Sequence, residues 1–147
     1  MRCIINGSVE FDSGVFVGPG DLESNFLGSI LGTKCEPFLI NGIYHSYKLP
    51  VIELEGISLL PLIYFTDGVV SEIQLHLYED DDNKAWAHYS RQSQINKKDQ
   101  IDNWLMKALG APPYNYTWGE IETVYDQRGG SVFILLRYAQ CKSTGAK

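Results

Sequence analysis

The middle of this chain is interrupted three times by a residue followed by glycine, and this punctuation constrains the fold more than any other feature of the sequence. The pairs are Asn41-Gly42, Glu55-Gly56 and Asp67-Gly68, and each separates two apolar runs. Asn-Gly and Asp-Gly are strong hairpin signals because both residues accept the positive φ angles of two-residue turns, and Glu-Gly is a weaker one. We therefore predict a meander of antiparallel strands over residues 35–78.

The strand after the third pair alternates in a way that separates the two faces of a sheet. One face is largely apolar and carries Val69, Ser71, Ile73, Leu75 and Leu77. The other is mostly polar and carries Val70, Glu72, Gln74, His76 and Tyr78. Such alternation is typical of an antiparallel sheet with one buried and one solvated face. Pro50 and Pro61 have no N–H to donate, so each should mark an edge, a bulge or a strand break.

A short amphipathic helix is predicted before the meander. Asp21 is a good N-cap, and Gly32 is expected to end the helix in a left-handed conformation. Between them, apolar residues recur at helical spacing, at Leu22, Phe26, Leu27, Ile30 and Leu31.

A long helix is predicted after the meander. Asp82 or Asn83 can cap it, and Gly110 followed by prolines ends it. The helical stripe is clearest near its end, at Ile101, Trp104, Leu105, Ala108 and Leu109. The pattern weakens through residues 95–98, where we expect a kink or a break.

The segment WGEIETVYDQRGGSVFILLRY, from Trp118 to Tyr138, reads as a C-terminal β-hairpin. Its first strand carries Glu120 and Glu122 on one face. Its second strand is apolar on both faces, which predicts an inner strand of the sheet. We expect Arg137, in the second strand, to pair with one of these glutamates across the ladder.

The fold class that follows is α+β. We expect an antiparallel β-sheet meander, a short N-terminal helix, a long and interrupted helix, and the C-terminal hairpin, with helices mainly on one face of the sheet. The length fits one domain, over residues 1–140, and the small polar residues at 141–147 predict a flexible tail.

The charge balance limits the kinds of partner. The chain has 12 basic and 18 acidic residues, a formal net charge of −6. A nucleic-acid binder needs a basic stripe, so we expect no nucleic acid. An acidic protein can instead attract a basic protein partner, because opposite fields steer their encounter. The alternative, that the charge only keeps the protein in solution, stays open.

The cysteines and the N-terminus indicate the compartment. Cys3, Cys35 and Cys141 lie far apart and form no CxxC pair, so neither a disulfide framework nor a zinc ribbon is indicated. The N-terminus has no apolar signal-peptide core, and no apolar stretch reaches the length of a membrane span. We therefore expect a cytoplasmic protein that does not enter a membrane.

No catalytic motif is recognisable. There is no GxSxG, and no HxH or HExxH joins the three histidines, which are His45, His76 and His88. Two glutamate pairs stand two residues apart in strands, Glu53 with Glu55 and Glu120 with Glu122. A solvated strand face explains these pairs more simply than acid–base chemistry. We expect no catalysis, no metal and no cofactor; a hydrolase using a glutamate pair or His76 is the least favoured alternative.

Residues 104–138, WLMKALGAPPYNYTWGEIETVYDQRGGSVFILLRY, resemble the C-terminal signature of a group of small, mostly uncharacterised bacterial proteins. That signature begins with the end of a helix, which contains WL and LG and is followed by a proline. It continues with Y.WG.I and YD, then a turn and an apolar strand. Thr123 stands where the signature has a serine. Upstream segments fit as well, so the resemblance covers nearly the whole chain. Such proteins are often encoded beside secreted or contact-delivered toxins, which implies an immunity protein. The resemblance brings no catalytic residue with it.

We therefore interpret the chain as a cytoplasmic immunity protein that binds and neutralises a cognate toxin, such as a basic nuclease. The alternative is a small module that binds a ligand or another protein. The candidate partner-binding residues are Glu79, Asp80, Asp81, Asp82, Trp118, Glu120, Glu122 and Asp126. These acids would face the basic surface of the toxin. The sequence does not indicate an oligomeric state.

Overall fold

The computed structural model of the protein describes residues 7–11, 15–54, 57–78, 91–126 and 131–139. A 3₁₀ helix at Ile30–Thr33 follows the first helix. The remaining elements in chain order are β1 (Val9–Glu10), β2 (Phe16–Val17), α1 (Glu23–Leu27), β3 (Glu36–Asn41), β4 (Tyr44–Lys48), β5 (Ile52–Leu54), β6 (Ile57–Thr66), β7 (Val69–Leu77), α2 (Arg91–Leu109), β8 (Tyr114–Tyr116), β9 (Gly119–Asp126) and β10 (Ser131–Tyr138).

Eight strands form one sheet in the order β3-β4-β6-β7-β10-β9-β8, with β5 beside β6 where β4 has ended. Each of these pairs is antiparallel. The α+β class, the meander and the C-terminal hairpin are therefore confirmed. β10 pairs with both β7 and β9, which also confirms it as an inner strand. β8 is a short edge strand that the sequence does not predict.

The glycine pairs mark the turns. Asp67 and Gly68 connect β6 to β7 with φ angles of 52° and 83°, both positive as in a type I′ turn. Between β3 and β4 the turn is displaced by one position, because Asn41 is still paired in β3 and the connection consists of Gly42 and Ile43. Gly42 has a φ of 62° there. β5 and β6 pair next to each other, as the Glu-Gly signal predicts.

A β-bulge changes the alternation of β7. Ser71 is an extra residue opposite the step from Tyr64 to Phe65 in β6. As a result Val70, which is 1% exposed, faces the core, whereas Val69 is only partly covered. The predicted assignment of these two valines to faces is therefore wrong, because a bulge moves every residue before it to the opposite face.

Pro61 lies inside β6, opposite a break in the neighbouring strand. Its carbonyl accepts a hydrogen bond from the Leu49 N–H at 3.0 Å. Leu49 and Pro50 lie between β4 and β5, where the ladder beside β6 is interrupted. A backbone N–H at position 61 would face this interruption, so proline is tolerated there. The prediction that each proline marks an edge, a bulge or a strand break is confirmed for Pro50, which separates β4 from β5, and is wrong for Pro61, which lies within the unbroken inner strand β6 and faces the gap that Pro50 marks.

The first helix starts later than predicted. α1 begins at Glu23 with Leu22 as the N-cap residue, and no side chain caps it. Asp21 instead accepts a hydrogen bond from the Gly18 N–H at 2.8 Å, which commits its carboxylate to the preceding turn. Gly32 lies inside the 3₁₀ helix and does not end α1. The predicted roles of Asp21 and Gly32 are therefore both wrong.

α2 runs without a break over its 19 residues, so a break at residues 95–98 is wrong. A weak apolar pattern reflects limited contact with the sheet, and it does not by itself end a helix. Lys98, at the end of residues 95–98, forms an ion pair at 2.9 Å with Asp102, which lies one helical turn further along α2. Further along, Ile101 and Leu105 are each 1% exposed and pack the helix against the hairpin of β9 and β10.

The hydrophobic core lies on one face of the sheet, under α1, α2 and the β1–β2 pair. Strands β6, β7 and β10 supply its most deeply buried side chains, namely Leu59, Ile63, Phe65, Ile73, Leu75, Ile134 and Leu136. At the other end of the core, the ring of Phe26 in α1 lies 5.7 Å from Tyr47 and 5.4 Å from Phe65, measured between centroids. Burial of large side chains on this scale is the main stabilising term of a fold.

Candidate functional site

Four of the eight predicted partner-binding residues lie outside the described residues, namely Glu79, Asp80, Asp81 and Asp82. Asp126 is the last residue of β9.

Trp118 is packed inside the molecule. Its ring stacks on Tyr116, with centroids 5.1 Å apart and planes inclined by 11°. It also lies 5.6 Å from the ring of Tyr138, and it packs against the core cluster. Its surface is therefore used largely for internal contacts, and only the partly exposed remainder is accessible to a partner.

Glu120 and Glu122 lie on the face of the sheet opposite the core, which we call the second face. One row of side chains runs straight across the strands of this face, through Glu120, Arg137, Glu72, Tyr64, Ser46 and Leu39. Arg137 forms an ion pair with Glu120, and its second nitrogen lies 3.9 Å from Glu122. The predicted cross-strand pairing is confirmed. The guanidinium partly neutralises both glutamates, so they present less negative charge than the sequence suggests.

Glu72 begins a chain of hydrogen bonds along β7 on the second face. Gln74 Nε2 donates to Glu72 Oε2 at 2.5 Å, and His76 Nε2 lies 2.8 Å from Gln74 Oε1. The His76 ring stacks on Phe133 with centroids 4.4 Å apart. Burial lowers the pKa of His76, so its neutral ring holds the proton on Nε2 and donates it to Gln74.

A cleft of about 560 Å³ opens over the cross-strand row. Leu39 and Tyr44 line one end of it, and Glu72 and Arg137 line the other, with Tyr64 between them in the row. Burial raises the pKa of Tyr64, and the charge of Glu72 raises it further, so the phenol stays protonated. The cleft thus joins an apolar end to an end that carries a carboxylate and a guanidinium, with a phenol hydroxyl between them.

The β3–β4 hairpin exposes five large apolar side chains, which we call the apolar hairpin. The register places Leu39 and Tyr44 on the second face of the sheet and Ile40 on the opposite face. Its members are Phe38 (56% exposed), Leu39 (55%), Ile40 (52%), Ile43 (50%) and Tyr44 (58%). β3 is also an edge strand of the sheet. An exposed apolar edge is a template for contact with another chain, and natural proteins usually shield it. Exposed apolar side chains grouped on one element are typical of interaction sites.

Sequence reasoning misses the apolar hairpin. The run PFLINGIY is apolar at consecutive positions, and this pattern equally fits a buried inner strand such as β10. Which strand lies at the edge is decided by the topology of the whole sheet. One local signal was available: Pro37 lies within β3, and proline inside a strand favours an edge position.

A carboxylate holds α1 to the apolar hairpin. Glu23 Oε2 accepts a hydrogen bond from Nδ1 of His45 at 2.8 Å and another from the hydroxyl of Tyr47. His45 Nε2 lies 2.9 Å from the carbonyl oxygen of Gly42. A ring that donates from both nitrogens is an imidazolium, and the hydrogen bond to Glu23 raises the pKa of His45. Burial, followed by the contact with Glu23, raises the pKa of Tyr47 to about 12.

In the described part of the chain, the His, Cys, Asp and Glu side chains form no group of three or more that could hold a metal ion. None of the helices in that part combines the length and the apolar character that crossing a membrane requires. Comparisons with protein-family models, with curated proteins and with solved structures give no match to this chain. Function must therefore be inferred from the surface of the chain itself.

Proposed function

We propose that this protein acts by binding another protein, and that the partner is a toxin which it neutralises as a cytoplasmic immunity protein. The observation that carries the proposal is the apolar hairpin, because five large side chains of one edge hairpin are each at least half exposed. Apolar and aromatic side chains in such a patch are the usual anchors of a protein interface.

Two features support a toxin as the partner. Residues 104–138 resemble the signature of immunity-type proteins, and the net charge of −6 favours a basic partner such as a nuclease. Neutralisation then requires no chemistry from this chain. The apolar hairpin supplies the contact area, and the negative field brings the two proteins together and blocks the toxin surface that would otherwise meet phosphate.

The cleft supports a second candidate, a module that binds a small ligand. Its volume of about 560 Å³ is sufficient for a drug-sized molecule. A thermal-shift screen of the purified protein against metabolites tests this candidate. A ligand that raises the melting temperature, and whose effect is lost in Glu72→Gln, would favour it.

Co-expression tests the proposed function. Each candidate toxin domain from the neighbouring genes is produced in cells with the wild-type chain, with Ile40→Ser, or with Met106→Ser. Ile40 is 52% exposed in the apolar hairpin and Met106 is 50% exposed on α2, so the two changes remove similar exposed surface. We expect wild type and Met106→Ser to protect the cells. Ile40→Ser should bind the toxin about tenfold more weakly than wild type and should therefore protect the cells less. Equal killing with and without the wild-type chain would refute the proposal.

A further inference from the structure

We infer that Leu39 and Tyr44 of the apolar hairpin form one docking surface with the rest of the cleft, and that its occupant is an extended segment of the partner in which an apolar side chain and a Lys or Arg side chain are four residues apart. The apolar side chain lies on Leu39 and Tyr44, and the cation pairs with Glu72. The inference rests on the proposed function in taking the partner to be a protein.

Charge in the cleft favours a cation beside Glu72. The cleft is lined by one carboxylate, Glu72, and by two basic residues, Arg137 and His45. His45 is already paired with Glu23, at 2.8 Å. Arg137 is turned towards β9, where it contacts Glu120 and Glu122. Among the described residues no basic side chain forms an ion pair with Glu72, whose only hydrogen bond is the one from Gln74 to Oε2. Its Oε1 atom is left to accept from a guanidinium or ammonium group.

The side chains around Glu72 suit the same occupant. Tyr64 lies next to Glu72 in the row, with its pKa raised, and offers a protonated phenol and an aromatic face. Aromatic faces attract cations within about 6 Å of the ring centre. Towards the hairpin, Tyr44 and Leu39 are 58% and 55% exposed and present apolar surface for a neighbouring side chain. The end of the cleft at Glu72 and Tyr64 therefore suits the cation of the segment, and the end at Leu39 and Tyr44 suits its apolar side chain.

The register of the sheet sets the spacing. Leu39 and Glu72 belong to the same row and are separated by three strand intervals, from β3 through β4 and β6 to β7. At roughly 4.8 Å per interval the separation is about 14 Å. An extended chain advances roughly 3.4 Å per residue, and its side chains alternate in direction. Residues i and i+4 of the segment are therefore about 14 Å apart and point to the same side.

A peptide titration tests the inference without the toxin. The probes are acetyl-Leu-Ser-Ser-Ser-Arg-amide, the same peptide with citrulline in place of arginine, and a shortened acetyl-Leu-Ser-Arg-amide. Citrulline keeps the shape of arginine and removes its charge. Binding to the ¹⁵N-labelled full chain is followed by NMR for wild type, Glu72→Gln and Glu53→Gln. Glu53 is a matched control, since it is a strand carboxylate that accepts a hydrogen bond from one neutral neighbour, Ser58.

We expect the arginine pentapeptide to shift the resonances of Leu39, Tyr44, Tyr64 and Glu72. It should bind wild type and Glu53→Gln about tenfold more tightly than the citrulline peptide does. Glu72→Gln should abolish this preference, and the shortened peptide should bind weakly to every variant. Equal binding of the two pentapeptides, a preference that survives Glu72→Gln, shifts confined to other regions, or no shift at several millimolar peptide would each overturn the inference.

The two proposals fail in different ways. If the peptide preference is found but co-expression gives no protection, the toxin assignment is wrong and the docking chemistry stands. If co-expression protects but the arginine and citrulline peptides bind alike, the immunity function stands and its interface does not use Glu72.

Discussion

At the scale of single residues, the aromatic side chains near the C-terminus join the two ends of the chain. The Tyr138 hydroxyl donates a hydrogen bond to the Gly7 carbonyl at 2.7 Å in a buried site. Trp118 covers the same glycine so closely that a Cβ atom at Gly7 would come within 2.6 Å of its ring. In this chain the Trp and Tyr of the resemblance signature therefore serve packing.

Replacing Tyr138 by Phe removes one hydroxyl and leaves the Gly7 carbonyl buried without its donor. We expect the free energy of unfolding to fall by about 1–3 kcal/mol, the cost of an unsatisfied buried polar group. Urea denaturation measures this as a lower midpoint with an unchanged slope. Tyr44→Phe is the control, because Tyr44 is 58% exposed and its hydroxyl is accessible to water. A midpoint for Tyr138→Phe that matches the control would show that this bond contributes nothing.

Gly119 is required by its backbone and by its neighbour. Its φ is +149°, and a Cβ atom there would lie 2.1 Å from the Arg137 carbonyl oxygen across the ladder. Gly119→Ala should therefore destabilise the protein by roughly 1–3 kcal/mol or more. Gly20→Ala separates the two causes, since Gly20 has a φ of +82° but nothing within 4 Å of the added atom. The melting temperature of Gly119→Ala should be well below that of Gly20→Ala, and the reverse order would contradict this account.

At the scale of elements, the sequence determines turns and helices better than edges and bulges. Asp67-Gly68 predicts its turn because both residues tolerate positive φ, which is a local property. The bulge at Ser71 and the edge position of β3 depend on pairing partners far along the chain, so no local pattern reveals them. The same limit explains the candidate site: the pairing of Arg137 with the glutamates is predicted, but the apolar hairpin is not.

The tie between α1 and the apolar hairpin should depend on pH. The hydrogen bond to Glu23 raises the pKa of His45, so the folded state prefers the imidazolium. This stabilisation is fully present below the unfolded pKa of about 6.5 and is lost as pH rises through the higher folded value. The difference in unfolding free energy between wild type and His45→Gln should therefore shrink as pH rises from 6 towards 9. A difference that grows over this range would contradict the assignment.

The contribution of His76 to stability should change with pH in the opposite direction to that of His45, so the two histidines form a matched comparison. Burial lowers the pKa of His76, so its contribution to stability is full above about 6.5 and is lost as pH falls through the lower folded value. His76→Gln should therefore reduce the acid sensitivity of the protein and leave the alkaline side unchanged. Measuring both variants separates the two histidines, whose effects partly cancel in the wild-type protein.

At the scale of the whole molecule, the proposed function gives charge and apolar surface different roles in binding. A net charge of −6 acts over a distance and would govern how often a basic partner arrives. The apolar hairpin would act only in contact and govern how long the partner stays. The two contributions should therefore separate in kinetics.

The acidic run before α2 is expected to act on the association rate. Changing Asp80, Asp81 and Asp82 to Asn halves the formal net charge of −6. We expect association with the toxin domain to slow about threefold at low salt and to become less dependent on salt, while dissociation is unchanged. Surface plasmon resonance at several salt concentrations measures this. A faster dissociation with an unaltered association rate would place these residues inside the contact area instead.

The central claim is that this protein works by binding a protein partner through exposed apolar surface. Isothermal titration calorimetry of the purified chain with candidate toxin domains from neighbouring genes, repeated at several temperatures, tests this claim most directly. The account predicts a stoichiometric complex with a dissociation constant below about 1 µM and a negative heat-capacity change, the mark of apolar burial. The absence of a complex by calorimetry and by gel filtration would contradict it.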